Sequence, residues 1–198
     1  MDSQATAEFV VAETRASAER AVIGLNLCPF ARAPQAKGLV RYAVSQARDA
    51  EALLEFLLEE LQRLAESTAA RIETTLLIHP WVMNDFADYN DFLEVAEAAV
   101  DELGLGGIIQ VASFHPQYQF ADTEAGDVAN ATNRSPYPTL HLLREESIER
   151  AVDAIADAAT IYEANIETLR RLGTAGWDAV QQQCHEDAVA ACAPPPPH

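Results

Sequence analysis

Basic residues are scarce in this chain, and that scarcity is its first constraint. Its 198 residues hold 13 Lys and Arg against 31 Asp and Glu, a formal net charge of −18. Such a surface repels nucleic acid and anionic lipid, so no nucleic-acid or membrane partner is expected. Long apolar runs are missing too: none approaches the roughly 20 residues that a membrane helix needs. The opening MDSQATAEFVVAETRASAER has no basic segment ahead of an apolar one, so no secretory signal is expected there. Cysteine is sparse and odd in number, with Cys28 far from Cys184 and Cys192. This argues against a disulfide scaffold and for free thiols in a cytoplasmic protein. Internal repeats and a Gly-rich phosphate loop are also lacking. GLGG at 104–107 precedes a strand pattern rather than following one, so it reads as a helix stop.

What remains is ordinary for a globular chain: 49% of residues are hydrophobic and 22% charged, enough to bury one core. The expectation is a single domain over 1–177 and a flexible tail over 178–198, where periodicity fades and the chain ends in PPPPH. Residues 5–27 predict an amphipathic helix that stops at Cys28, ahead of Pro29. Leu39–Val44 predicts a strand. Ala50–Ala65 predicts a helix, with Asp49 as its N-cap and a wide leucine face. Ile72–Ile78 predicts a buried strand. The next helix is capped by Asn84 or Asp85 and stopped by Gly104. Gly107–Phe114 and Thr139–Leu143 complete the strands. A seam of Ile148, Val152, Ile155, Ala159, Tyr162, Ile166 and Leu169 predicts a last long helix, closed by Gly173. Strands separated by helices predict an α/β fold, with α+β as the variant: a small mixed sheet of about four strands, helices packed on it, and a long functional loop before the last strand.

That loop lies within Phe114–Arg144, FHPQYQFADTEAGDVANATNRSPYPTLHLLR. A long irregular segment inside a compact domain is often functional. The second and third strands both end in His-Pro, at His79-Pro80 and His115-Pro116. If a helix crosses over between them, both imidazoles lie on the carboxyl edge of the sheet, where α/β folds bind ligands. With the two strands adjacent, about 4.8 Å apart, their side chains would converge. His141 shares a face with Thr139 in the last strand and could point into the same pocket. Each histidine also has a plain reading as a satisfied buried ring. Cys28 is most simply a small buried hydrophobe and otherwise a soft metal ligand or nucleophile. Arg134, flanked by Asn130 and Asn133, is the natural fork for a carboxylate or phosphate, or else a surface partner for a Glu. Tyr118 stands near it in the loop.

At these residues the chain resembles a known family. NLCPFA at 26–31, TTLLIHP at 74–80, NDFADYNDFL at 84–93, ASFHPQYQFA at 112–121 and NATNRSPYPTLHLLREESIERAV at 130–152 are similar to the bacterial proteins grouped as domain of unknown function 1415. The resemblance runs from the first helix to Trp177. It implies a bacterial, mainly cytosolic protein whose motifs are Cys28, His79, His115, Asn133, Arg134 and His141. It brings no activity with it, and the tail lies outside it.

Three functional readings follow. The first is a small-molecule enzyme. His79 and His115 would do acid–base chemistry or, with His141 and more weakly Cys28, bind zinc, iron or copper. Arg134, with Asn133, Asn130 and Tyr118, would hold an anionic substrate. The second is a metal-free enzyme using Cys28 and His115. The third is a non-catalytic protein that binds a ligand or lays its last helix on a partner. Oligomeric state is open.

Overall fold

The computed structural model describes residues 6–153 and 159–193. Helix α1 spans Ala7–Ser17 and widens into a π-helical turn over Ala18–Ile23. There the amides of Gly24 and Leu27 bond carbonyls five residues back, those of Glu19 and Val22, both at 2.9 Å. The helix therefore ends at Ile23, four residues short of the expected boundary. Asn26 takes a left-handed conformation, φ 56°, which turns the chain ahead of Pro29. A short helix α2, Arg32–Ala36, leads to strand β1, Val40–Val44.

Helix α3, Ala50–Glu66, starts where the sequence predicts: the Asp49 carboxylate accepts from the Ala52 amide at 2.9 Å. Strand β2 is Thr74–Ile78. Helix α4, Phe86–Glu102, is capped by Asp85, which accepts from the Ala87 amide at 2.8 Å, and Gly104 leaves it at φ 68°. Strand β3, Ile109–Phe114, is followed by the long segment, a 3₁₀ turn at Val128–Asn133, and strand β4, Thr139–Arg144. Helix α5, Glu145–Asp153, and helix α6, Ala159–Ala191, complete the chain. Ile155 of the expected seam lies outside the described residues, as does the terminal PPPPH.

The four strands form one mixed sheet in the order β1-β2-β4-β3. Strand β1 is parallel to β2, and β4 is antiparallel to both of its neighbours. Strands β2 and β3 therefore run the same way, as expected, but β4 lies between them, so they are not adjacent. One face of the sheet carries Leu77, Leu140 and Leu142 against Leu53, Leu57, Leu61 and Leu64 of α3 and Tyr89, Phe92 and Ala96 of α4. A smaller core joins Ala21, Leu27, Ala131, Leu169 and Trp177 and seats the 3₁₀ turn on α6.

The last helix needs a second correction. Gly173, at φ 70°, interrupts it as expected, but helix resumes and runs to Ala191. Trp177, Cys184 and Ala188 are buried, and α6 packs along α1. Arg20 of the π-helical turn pairs with Asp187, and the Glu13 carboxylate of α1 bonds the His185 ring at 2.7 Å. Residues 178–191 are thus a docked helix rather than a loose tail. Its buried positions are a Cys and an Ala, too small to announce an apolar stripe.

Candidate functional site

His79 and His115 do stand on one edge of the sheet, two strand spacings apart, roughly 10 Å in backbone terms. What joins them is the ring of Tyr89. Its centroid is 5.7 Å from that of His79 and 5.0 Å from that of His115. The Tyr89 hydroxyl donates to Thr139 O at 2.9 Å and accepts from the Phe114 amide at 3.0 Å. It thereby closes the end of the β3–β4 ladder. Tyr89 is legible in the sequence only as one apolar position of α4.

The bonds of each imidazole fix its tautomer, because a backbone carbonyl can only accept and an amide can only donate. His79 Nδ1 lies 3.1 Å from Val82 O, so Nδ1 carries the proton. Its Nε2 lone pair is buried with no partner. His115 Nε2 lies 3.1 Å from Met83 O, so Nε2 carries the proton, and Nδ1 accepts from the Gln117 amide at 3.0 Å. Both rings are wholly buried. Burial pushes the His79 pKa down to about 4, and it lowers that of His115 as well. These are neutral staples for the turns that leave β2 and β3. The lone pair of His115 is already occupied, and that of His79 is sealed from solvent.

The loop's amides are engaged in the same way. Asn130 is fully buried: its carbonyl accepts from Phe120 N and Thr123 Oγ1, and its amide donates to Glu124 O. The Asn133 side-chain amide donates to Ser113 O at 3.2 Å, and its backbone carbonyl accepts from the His115 amide. Tyr118 lays its ring between Phe86 and Phe120, with centroids 5.3 and 5.1 Å away. Asn130, Asn133 and Tyr118, expected to touch substrate, bond or pack within the protein and hold the loop's shape. An amino-acid sequence does not show whether an Asn faces a ligand or its own backbone.

Arg134 is different. Its Nε donates to Tyr118 O at 3.3 Å and one terminal nitrogen donates to Ala125 O at 2.7 Å. No carboxylate among the described residues pairs with it. Partial burial alone lowers its pKa. The guanidinium lines a cleft of about 440 Å3 with Phe86, Pro116, Gln117, Gln119 and Ala125, beside the carboxyl end of β3. A second cleft, about 490 Å3, lies between α1 and the end of α6. Its charged side chains are mainly acidic, with Arg15 beside Glu8, Glu19 and Asp187, and the rest of its wall is small and apolar.

His141 lies elsewhere. Leu140 and Leu142 face α3 and α4, so the strand's alternation puts His141 on the opposite face of the sheet. Its Nε2 is 2.6 Å from Thr74 Oγ1. Cys28 is half-buried; burial raises its pKa, against smaller opposing help from the Phe30 and Ala31 amides. The expected metal set of His79, His115, His141 and Cys28 is therefore not assembled. Among the described residues, no group of three or more His, Cys, Asp or Glu side chains is placed to hold an ion. The physical reason is the insertion of β4 and the assignment of each ring to a different local bond.

No helix among the described residues is long and apolar enough to cross a membrane. No curated protein and no solved structure matches the chain significantly. A family model matches most of it, from the first helix to just past Trp177. The chain belongs to the family described as Protein of unknown function (DUF1415), whose family model covers residues 9–179.

Proposed function

We propose that this protein takes up a small molecule bearing a carboxylate or phosphate in the cleft beside Arg134. The reading rests on one observation: a partly buried guanidinium, in a chain of net charge −18, faces a cleft with no carboxylate partner among the described residues. An Arg in a carboxylate-rich protein is ordinarily paired, and a partly desolvated one gains most from an arriving anion. Phe86 gives the cleft an apolar wall, and the amides of Gln117 and Gln119 add polar contacts.

An enzyme and a binding protein would both use Arg134 to orient the anionic group. In the enzymatic form, the acid–base work assigned to His79 and His115 passes to a group brought by the ligand or by solvent, because neither ring has an accessible lone pair. A metal-dependent form would draw on solvent and ligand atoms to complete the coordination shell around a single side chain. The Cys28–His115 pair gains no support, since His115 uses both ring nitrogens on the backbone. Three free thiols suit the reducing interior of a bacterial cell.

The test is thermal unfolding with benzoate, acetate or inorganic phosphate against chloride at equal ionic strength. A ligand at ten times its Kd stabilises the folded state by about 1.4 kcal/mol. Arg134→Gln keeps a donor for the backbone carbonyls and removes the charge. The proposal expects at least one of these anions to stabilise the wild type, and expects R134Q, folded by circular dichroism, to lose that gain. Equal stabilisation of both proteins would overturn it.

A further inference from the structure

We propose that His141 Nδ1 is the hydrogen-bond acceptor of a second ligand subsite, on the sheet face turned away from α3 and α4, for a small molecule carrying a hydroxyl on an apolar ring. Thr74 of β2 fixes the tautomer of the His141 ring. Its hydroxyl has one proton, and that proton goes to Leu142 O at 2.7 Å. The contact of the same oxygen with His141 Nε2 at 2.6 Å must then be donated by the ring. Nε2 is protonated and Nδ1 holds the lone pair. No described residue bonds that lone pair.

The three strand histidines thus divide cleanly. The lone pair of His115 is occupied by the Gln117 amide, and that of His79 is buried out of reach of water. His141 has a fixed tautomer, a free lone pair and a residue surface that is partly exposed. The atoms crowded around its ring push its pKa down to about 4, so it is neutral at physiological pH and accepts without titrating.

Its surroundings select the ligand. Register places Leu76 of β2 and Ala112 of β3 on either side of it on the same face, and the Phe114 ring lies 6.0 Å away, centroid to centroid. All three are partly exposed. The hydroxyls of Tyr42, Thr74 and Thr139 on that face all donate inside the protein. A lone acceptor among apolar side chains suits a neutral hydroxyl better than an anion, which distinguishes this subsite from the Arg134 cleft.

Nitrogen NMR of the wild-type protein reads the tautomer directly, and phenol serves as the probe. The expected result is an unprotonated Nδ1 and a protonated Nε2 at His141. Phenol at neutral pH should shift the His141 nitrogens and leave those of His79 in place. Toluene, which lacks the hydroxyl, should bind at least tenfold more weakly, about 1.4 kcal/mol. A protonated Nδ1 overturns the proposal, and so does phenol binding no better than toluene. Neither readout involves Arg134, so the two sites stand or fall separately.

Discussion

His115, at the end of β3, donates through Nε2 to the carbonyl oxygen of Met83, 32 residues earlier and 3.1 Å away. Met83 itself sits at φ 57°, a conformation that few side chains adopt without support. The same ring accepts the Gln117 amide, so one imidazole fixes both turns that flank the Arg134 cleft. Replacing it removes two buried hydrogen bonds and strands their partners, which costs about 2 to 4 kcal/mol. His115→Asn can still accept the Gln117 amide through its side-chain oxygen, whereas His115→Leu cannot. We therefore expect the Leu variant to lose more stability in urea and to show faster amide exchange at Gln117. Equal losses would mean that the Gln117 contact contributes nothing.

Acid should weaken the fold through the buried imidazoles. Burial holds His79 near a pKa of about 4, below its unfolded value near 6.5. Above pH 6.5 both states are neutral at this ring and its contribution is complete. As pH falls from 6.5 towards 4, the unfolded chain takes up a proton that the folded one refuses, and stability declines. The ceiling is roughly 3 kcal/mol for this ring. Protonation of the many carboxylates relieves the −18 charge over a lower range, so the histidine slope shows best between pH 5 and 6.5. Urea unfolding at stepped pH should show that slope in the wild type and a flatter one in His79→Phe. A wild-type stability constant across this range would contradict the buried neutral ring.

Much of the frame is legible in the chain, and the limits of that legibility are physical. Leucines stepping by three and four give α3, Asp49 and Asp85 give its start and that of α4, and the two His-Pro pairs mark where β2 and β3 end. These are local signals. The insertion of β4 between those strands is a long-range pairing that local periodicity does not encode. In the loop, residue type points to polarity without direction. Arg134 keeps its charge for the cleft, whereas Asn130, a few residues away, faces inward and bonds three backbone or hydroxyl groups. The role of Thr74 as the partner of His141 arises only once β2 and β4 pair.

Glu60 offers a test of burial against exposure within one ionic cluster. Its side chain is 1% exposed and is held by Arg41 at 2.6 and 2.8 Å and by Arg63 at 3.1 Å. Removing the carboxylate leaves Arg41 without its bidentate partner, and breaking a buried pair costs about 3 to 5 kcal/mol. Arg41 is about a third exposed, so water recovers part of that, and we expect about 2 to 3 kcal/mol for Glu60→Ala. Arg63 is half exposed, and Arg63→Ala should cost under about 1 kcal/mol. Chemical denaturation of the two variants measures both. An Arg63 variant as unstable as the Glu60 variant would show that the pair on α3, not the α3–β1 bridge, carries the cluster.

The three cysteines should react in the order Cys192, Cys28, Cys184. Thiolate fraction and access together set the rate of alkylation. Cys192 is exposed at the end of α6. Cys28 is half-buried, and the desolvation that raises its pKa outweighs the two amides that favour its thiolate. Cys184 lies on the buried side of α6, which packs along α1; it is 1% exposed, with a pKa pushed up to about 11 by burial. Iodoacetamide at pH 7.5, followed by peptide mass analysis, should modify Cys192 within minutes and leave Cys184 untouched until the protein unfolds. Rapid labelling of Cys184 would mean that the last helix detaches from α1 in solution. Labelling of Cys28 faster than Cys192 would restore the nucleophile reading, because a thiol of ordinary acidity in that half-buried position cannot outrun an exposed one.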